Sequence, residues 1–224
     1  MTWRTLDMAA YKRQAHFDYF RSLPWPWVGT TVEVEVTDLL GACRRQGYSF
    51  FLSFLHAAAL AADSVPQLRQ RIRGDGIVEY DQCPTSHTEL LADETYCYCT
   101  LRHHMPFLRY LAQAEEARQA CRKNGIEEED AVEGMYFVSS LPWLSYTALI
   151  QPVGGGDESN PRISWGKYRE GADGRALMPV SVLAHHALVD EIHLARFYEN
   201  LTREIRRTAE EARGSGTPKG ARSG

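Results

Sequence analysis

The sequence has no excess of positive charge. Its 224 residues include 25 basic and 29 acidic side chains, which gives a formal net charge of -4. A domain that binds DNA or RNA usually carries a basic surface, because it must neutralise backbone phosphates. The charge balance therefore argues against a nucleic-acid partner.

Long hydrophobic runs are also missing. The most apolar stretch, FFLSFLHAAALAA at residues 50–62, is shorter than the roughly 18 residues that a membrane span needs. The amino terminus, MTWRTLDMAAYKRQAHF, contains no apolar run of the signal-peptide type. We therefore expect a cytoplasmic protein that does not enter a membrane.

The sequence also has few cysteines and lacks a complete phosphate-binding loop motif. The five cysteines are odd in number and widely spaced, except for a C-x-C pair that would project to one face of a strand. These thiols are predicted to be reduced and structural. The glycine-rich segment GGGDESN, residues 154–160, lacks the G-K-[ST] ending of a phosphate-binding loop and is predicted to be an ordinary loop.

The patterns that are present indicate an α+β protein without internal repeats. The length suits one domain, predicted at residues 1–208, and the polar composition that follows predicts a disordered tail at residues 209–224. The acidic run EEED, residues 127–130, is predicted to be a solvated loop. Helical spacing is present at residues 7–22, 37–47, 49–63 and 106–123. Strand patterns are present at residues 30–36, 71–80, 95–101, on both sides of Pro142, and at 162–184, with a hairpin turn at EGADG.

The segment SVLAHHALVDEIHLARFY, residues 181–198, joins a strand pattern to a helix pattern. It carries His185, His186 and Asp190, and the last two are four residues apart, which places them on one face if the helix begins there. The residues alone leave both a catalytic and a structural interpretation open. The other six histidines are predicted to be structural or exposed: His16, His56, His87, His103, His104 and His193.

Four colinear motifs resemble the chloramphenicol acetyltransferase family. HHALVDEIHLARFYENL resembles the family signature H-H-x-x-x-D-G and the helix after it. The other three are KRQAHFDYFRSLP, VSSLPWLSYTALIQPV and ISWGKYREGADGRALMPVSV, and together the four cover most of residues 3–207. The resemblance implies a two-layer α/β sandwich with a mixed sheet and helices on one face. It also implies a homotrimer with active sites between subunits, and acetyl-CoA as co-substrate without a metal.

The resemblance also assigns roles to individual residues. His186 would be the general base, with its tautomer held by its own backbone carbonyl, and would act without an acyl-enzyme. Asp190 would pair with Arg13 and hold the loop that carries the base. Ser139 would donate to the oxyanion, with Ser140 as the competing candidate.

Three further positions match family residues around the cofactor. Ser164 stands where the family has a threonine that orients a water, and it keeps the hydroxyl. Lys167 and Tyr168 match a phosphate-binding lysine and an aromatic residue along the coenzyme A path. The alternative for both is an ordinary position on a strand surface.

The chain departs from the family pattern at the base and around the acceptor. Glu191 replaces the motif glycine, which would bring a negative charge close to His186. Aromatic residues occupy the expected acceptor pocket, or else are ordinary packing residues: Phe20, Trp25, Trp27, Tyr96 and Tyr98.

The sequence thus favours an O-acetyltransferase that acetylates chloramphenicol, a small-molecule acceptor. One alternative is the same chemistry on another small hydroxyl or amine acceptor. A second alternative is a catalytically lapsed binding protein with the same fold. Condensation domains of carrier-protein systems share the H-H-x-x-x-D-G signature, but they are about twice as long, so the length of this chain argues against them.

Overall fold

The computed structural model describes residues 1–124, 132–155 and 157–214. The predicted acidic loop at 127–130 and residues 215–224 of the predicted tail lie outside this part. The strands are β1 (Trp3–Thr5), β2 (Trp27–Glu35), β3 (Gln70–Arg73), β4 (Gly76–Tyr80), β5 (Thr85–Leu90), β6 (Tyr96–Leu101), β7 (Tyr136–Leu141), β8 (Arg162–Gly166), β9 (Arg169–Glu170) and β10 (Ala176–His185). The α-helices are α1 (Gln14–Arg21), α2 (Thr37–Gln46), α3 (Phe50–Asp63), α4 (Phe107–Asn124) and α5 (Glu191–Gly214).

A mixed seven-stranded sheet forms the centre of the molecule. Its strand order is β2-β10-β8-β7-β5-β6, and the short β9 pairs with β10. The pairs β5–β7 and β7–β8 are parallel, whereas β10 is antiparallel to β2, β8 and β9. A separate three-stranded sheet has the order β1-β4-β3. The mixed sheet agrees with the predicted fold class.

The helices follow from local signals in the sequence. Helix α2 ends where Gly47 adopts a φ of 72°, a left-handed conformation that glycine tolerates best. Helix α3 begins at Ser49, whose side chain accepts a hydrogen bond from the Leu52 amide. One face of α5 is buried at helical spacing, through Leu194, Phe197, Leu201 and Ile205.

Helices α2, α3 and α5 contact one another and cover the sheet beside β2 and β10. Val180 and Val182 of β10 are at most 1% exposed, and they form one core with the apolar side chains of α3 and α5. Burial of this kind contributes about 1.5–3 kcal/mol for each large aliphatic side chain. Within the described residues, the helices are all too short or too polar to cross a membrane.

The structure departs from the predicted elements in three places. Residues 7–13 form a 3-10 turn at Met8–Ala10 rather than part of a helix. No strand forms at 143–150, after Pro142. The predicted tail begins too early, because residues 209–214 continue α5 and bury Ala209 and Ala212 against the core. All five cysteines are free thiols, and Cys97 and Cys99 are both buried, as the C-x-C spacing predicts.

Candidate active site

The strand-to-helix joint is a tight turn between β10 and α5. The guanidinium of Arg13 donates to the Leu188 carbonyl at 2.7 Å and to Asp190 Oδ1 at 2.6 Å. A longer contact reaches the Ala187 carbonyl at 3.4 Å. The side chains of Arg13 and Asp190 are 17% and 29% exposed, so the pair is partly shielded from water. One side chain from the start of α1 thus fixes the turn that carries His186.

The imidazole of His186 is held on one edge and one face. Its Nδ1 lies 2.9 Å from the carbonyl oxygen of Val189 and 3.3 Å from Asp190 Oδ1. The partner is therefore the Val189 carbonyl and not the residue's own carbonyl, which differs from the expectation. Phe20 stacks on the ring, with centroids 3.6 Å apart and an interplanar angle of 21°. A proton on Nδ1, donated to Val189, leaves Nε2 as the basic nitrogen.

His185 has a different environment. It is 1% exposed, its Nδ1 accepts a hydrogen bond from the Ala187 amide, and the Trp27 ring meets it edge-on at 5.6 Å. Burial lowers the pKa of His185 to about 4, so this histidine is neutral at physiological pH. Its role in the structure is packing beneath the turn.

Glu191 begins α5 with a helical backbone, so this position does not require the conformational freedom of glycine. Its side chain is exposed, and a carboxylate oxygen lies within 4.8 Å of both the His186 imidazole and the Asp190 carboxylate. The expected negative charge is therefore next to the base. At the first turn of a helix, such a charge also interacts favourably with the helix dipole.

A row of hydroxyl side chains crosses the middle of the sheet. Ser139 of β7 pairs with Ser164 of β8, which pairs with Ser181 of β10, and Thr31 of β2 follows. Thr31 Oγ1 and Ser181 Oγ are 2.7 Å apart. Ser164 is fully buried, and its hydroxyl has no hydrogen-bond partner among the residues that the structure describes. Ser140 pairs with Trp165 and points to the opposite face of the sheet.

Ser139 opens into a cavity of about 490 Å³ between β5, β6, β7 and α4. On the face of the sheet that carries Ser140, the cavity wall contains an ion-pair network that the sequence patterns did not indicate. Glu89 accepts hydrogen bonds from His87 and from the guanidinium groups of Arg118 and Arg122. Burial would raise the pKa of Glu89, but the hydrogen bonds from His87 and Arg118 outweigh it and hold this pKa at about 2. The only signal in the sequence was the four-residue spacing of the two arginines on one helix face.

A second cleft, of about 120 Å³, adjoins this cavity and shares Phe51, Ser140 and Pro142 with it. Lys167 and Tyr168 line the second cleft. The Tyr168 hydroxyl accepts a hydrogen bond from Arg44 at 3.1 Å. Lys167 and Tyr168 thus line a cleft that meets the cavity of Ser139 at Ser140, the next residue of β7.

Within one chain, His186 lies far from Ser139. It directly follows β10, and it lies five residues beyond Ser181, the member of the hydroxyl row on that strand. Five residues span about 17 Å along a strand, and Ser139 is a further two strands away, about 10 Å. His186 and Ser139 of the same chain are thus too far apart to act on one carbonyl group.

The aromatic residues predicted for the acceptor pocket lie in separate places, some beside the histidine doublet and others on β6. Phe20 and Trp27 lie beside the histidine doublet, but Trp27 is only 7% exposed and packs under the Arg162 guanidinium, so it is a core residue and not an open wall. Trp25 is 54% exposed. Tyr96 and Tyr98 lie on β6, with rings 5.5 Å apart, and Tyr96 borders the cavity of Ser139.

The other histidines have identifiable roles. His16 is exposed, and His87 is buried against Glu89. His56 contacts the His103 carbonyl, and His193 accepts a hydrogen bond from the Asp190 amide. The rings of the doublet His103-His104 both contact the buried Asp63, a partner that the sequence patterns did not indicate.

Comparisons with known proteins agree with this architecture. The family model described as chloramphenicol acetyltransferase matches residues 1–202. A chloramphenicol acetyltransferase from Escherichia coli is 26% identical over 204 residues, which is 89% of this chain and 92% of that protein. One from Clostridium perfringens is 27% identical over 207 residues, covering 90% and 97% of the two chains.

A solved structure of a chloramphenicol acetyltransferase superimposes with a TM-score of 0.78. It shares 23% sequence identity and covers 91% of this chain and all of its own. The predicted fold class is therefore confirmed. Because the family model spans most of the sequence, the predicted family is confirmed as well: the chain belongs to the chloramphenicol acetyltransferase family.

Proposed function

We propose that this protein transfers an acetyl group from acetyl-CoA to a hydroxyl of chloramphenicol, with His186 as the general base. The observation that carries the proposal is the contact that orients the His186 imidazole. Its Nδ1 is 2.9 Å from the Val189 carbonyl, in a turn that Arg13 holds, and Nε2 is left to accept a proton. An oriented, neutral imidazole suits the removal of a hydroxyl proton near neutral pH.

The chemistry proceeds in two steps. His186 Nε2 takes the hydroxyl proton while the acceptor oxygen bonds to the thioester carbonyl carbon, and the carbonyl oxygen becomes an oxyanion. Ser139 donates its hydroxyl proton to a hydrogen bond with that oxyanion, a contribution of about 10²–10³ in turnover. The intermediate then expels the coenzyme A thiolate, which recovers the proton from the imidazolium. The products are the acetylated alcohol and the free thiol.

The surroundings of Ser139 support coenzyme A binding from that side. Lys167 can meet a phosphate as a positive charge, and the Tyr168 ring is positioned by its hydrogen bond with Arg44. The buried hydroxyl of Ser164, which has no hydrogen-bond partner in the described part of the chain, lies next to Ser139 in the hydroxyl row. This supports a role in binding a water near the intermediate.

The proposal requires more than one subunit. His186 and Ser139 of one chain are separated by about 17 Å along the sheet and about 10 Å across it. A cyclic assembly places the His186 face of one subunit against the Ser139 face of the next, because such an interface joins two different surface patches. We therefore propose a homotrimer whose active sites lie between subunits, and we expect an isolated subunit to be inactive.

Aromatic bulk favours a second candidate, which is acetylation of another small aryl or hydroxyl acceptor. Phe20 covers one face of the base, and Tyr96 narrows the cavity of Ser139. An aromatic wall can stack on the aryl ring of chloramphenicol, which contributes about 0.5–1.5 kcal/mol per pair beyond burial. The same wall would accept other flat rings.

The test is thiol release from acetyl-CoA with chloramphenicol and with a panel of other hydroxyl and amine acceptors. His186→Ala should lower turnover by about 10²–10⁴. His16→Ala removes an exposed histidine outside the site, so it should leave turnover unchanged. Turnover with another acceptor and none with chloramphenicol would identify that acceptor as the substrate instead. Coenzyme A binding without turnover on any acceptor would indicate the lapsed binding protein.

A further inference from the structure

The second histidine doublet forms a compact cluster with a buried carboxylate. His103 Nε2 and His104 Nε2 lie 2.8 and 2.6 Å from the same oxygen, Oδ2 of Asp63. The ligand atoms of all three residues lie within 4.8 Å of one another. Asp63 ends helix α3, and the two histidines lie between β6 and α4, so elements distant in sequence converge here.

The other oxygen of the carboxylate is already fixed. Asp63 Oδ1 accepts a hydrogen bond from the Tyr136 hydroxyl at 2.8 Å and from the Cys83 amide at 3.1 Å. The latter amide also lies 3.4 Å from Oδ2. Hydrogen bonds of this kind orient a carboxylate for metal binding, while its second oxygen faces the ion. The Asp63 side chain is 5% exposed, so its rotamer is also fixed by packing.

We propose that Asp63, His103 and His104 form a binding site for a divalent transition-metal ion, such as zinc or cobalt. Two imidazoles and one carboxylate are a ligand set that these ions accept, with water in the remaining position. Bonds of about 2.0–2.2 Å to each ligand require the three atoms to separate by about half an ångström. The His104 side chain is 44% exposed, which gives an entry path and room for the water.

The ion would cross-link α3 to the segment before α4 and, through Tyr136, to the start of β7. This role is structural and separate from the proposed acetyl transfer, for which no metal is expected. Coordination through Nε2 moves the proton of His103 to Nδ1, a buried atom without a hydrogen-bond partner among the described residues. That unpaired group weakens binding.

The test is a cobalt titration of the untagged full chain after treatment with a chelator. We expect one equivalent per chain, with visible absorption stronger than that of hydrated cobalt and loss of that absorption when zinc is added. His104→Gln keeps an N–H donor for Asp63 but removes the imidazole ligand, so it should fold and bind cobalt at least tenfold more weakly. His16→Ala and Glu191→Gln should bind as the wild type does, since neither touches the cluster.

Cobalt should also raise the melting temperature of the wild type more than that of His104→Gln, because the folded wild type binds the ion more tightly. Two results would overturn the proposal. One is the absence of stoichiometric binding, which would make the cluster a hydrogen-bond network only. The other is unchanged cobalt affinity in His104→Gln, or its loss in Glu191→Gln, which would put the ion elsewhere.

Discussion

Two inactive variants of this protein should restore activity when they assemble together. His186→Ala removes the proposed base, and Ser139→Ala removes the proposed oxyanion donor. Each alone should lower turnover by at least about 100-fold. Within one chain these residues are about 17 Å apart along the sheet and about 10 Å across it, whereas both must lie about 3 Å from the reacting groups. The proposed site therefore takes each residue from a different subunit.

The size of the rescue follows from the geometry of a cyclic trimer. Each site joins His186 of one subunit to Ser139 of its neighbour. Each trimer that contains both variants, in either proportion, has one site of three with both wild-type side chains. Turnover of these mixed trimers should then rise to about a third of the wild-type value, at least about 30-fold above either variant alone.

The assay is thiol release by trimers purified after co-expression of the two variants with different affinity tags. Co-expression of His186→Ala with the double variant His186→Ala/Ser139→Ala is the matched control, because no mixed site in it contains an intact base. Rescue in the first mixture and not in the second is expected. Mixed trimers no more active than the mean of the two variants would refute the shared site.

Two further predictions concern the turn around the base. Arg13→Ala should lower turnover and also the free energy of unfolding, by about 2–3 kcal/mol, because it removes the hydrogen bonds to Asp190 and to the Leu188 carbonyl. This loss corresponds to a decrease in melting temperature of roughly 4–12 °C. If Asp190→Asn kept full stability but had no activity, Asp190 would instead be a direct catalytic acid. His185 has a folded-state pKa of about 4, so the stability it contributes is present above pH 6.5 and is lost as the pH falls towards 4, by up to about 3 kcal/mol. Urea unfolding should therefore show a smaller loss of stability between pH 6.5 and 4 in His185→Asn than in the wild type. An equal loss of stability in the two proteins would contradict the argument.

Local signals predicted most of the regular elements. Helix α2 ends at Gly47, and helix α3 is capped at its start by Ser49. The end of α2 and the start of α3 therefore each depend on a residue within one turn of the boundary. The strand-to-helix joint at His185 was predictable for the same reason. The predicted disordered tail was wrong for residues 209–214, because Ala209 and Ala212 are small residues whose burial depends on the core beneath α5.

Tertiary contacts explain the other departures. Residues 143–150 have strand-like composition, but they cross the end of β8, where Lys167 donates its amide proton to the Leu144 carbonyl. That crossing requires Gly166, since a Cβ there would lie 2.5 Å from the Leu144 oxygen. Composition and periodicity do not report such close approaches. Sequence patterns also do not reveal the Glu89 network, because Arg118 and Arg122 lie 29 and 33 residues from Glu89 in the sequence.

The two histidine doublets show where sequence reasoning succeeds and where it stops. Asp190 follows His186 by four residues, so the acid belonging to the first doublet was visible in the motif itself. The acid belonging to the second doublet, Asp63, precedes His103 by 40 residues, and a search for a downstream acid at fixed spacing could not find it. The contact exists because α3 ends beside the segment that leads into α4, and Tyr136 then fixes the far side of the carboxylate. A histidine pair that has no acid nearby in the sequence can therefore still have one in the fold.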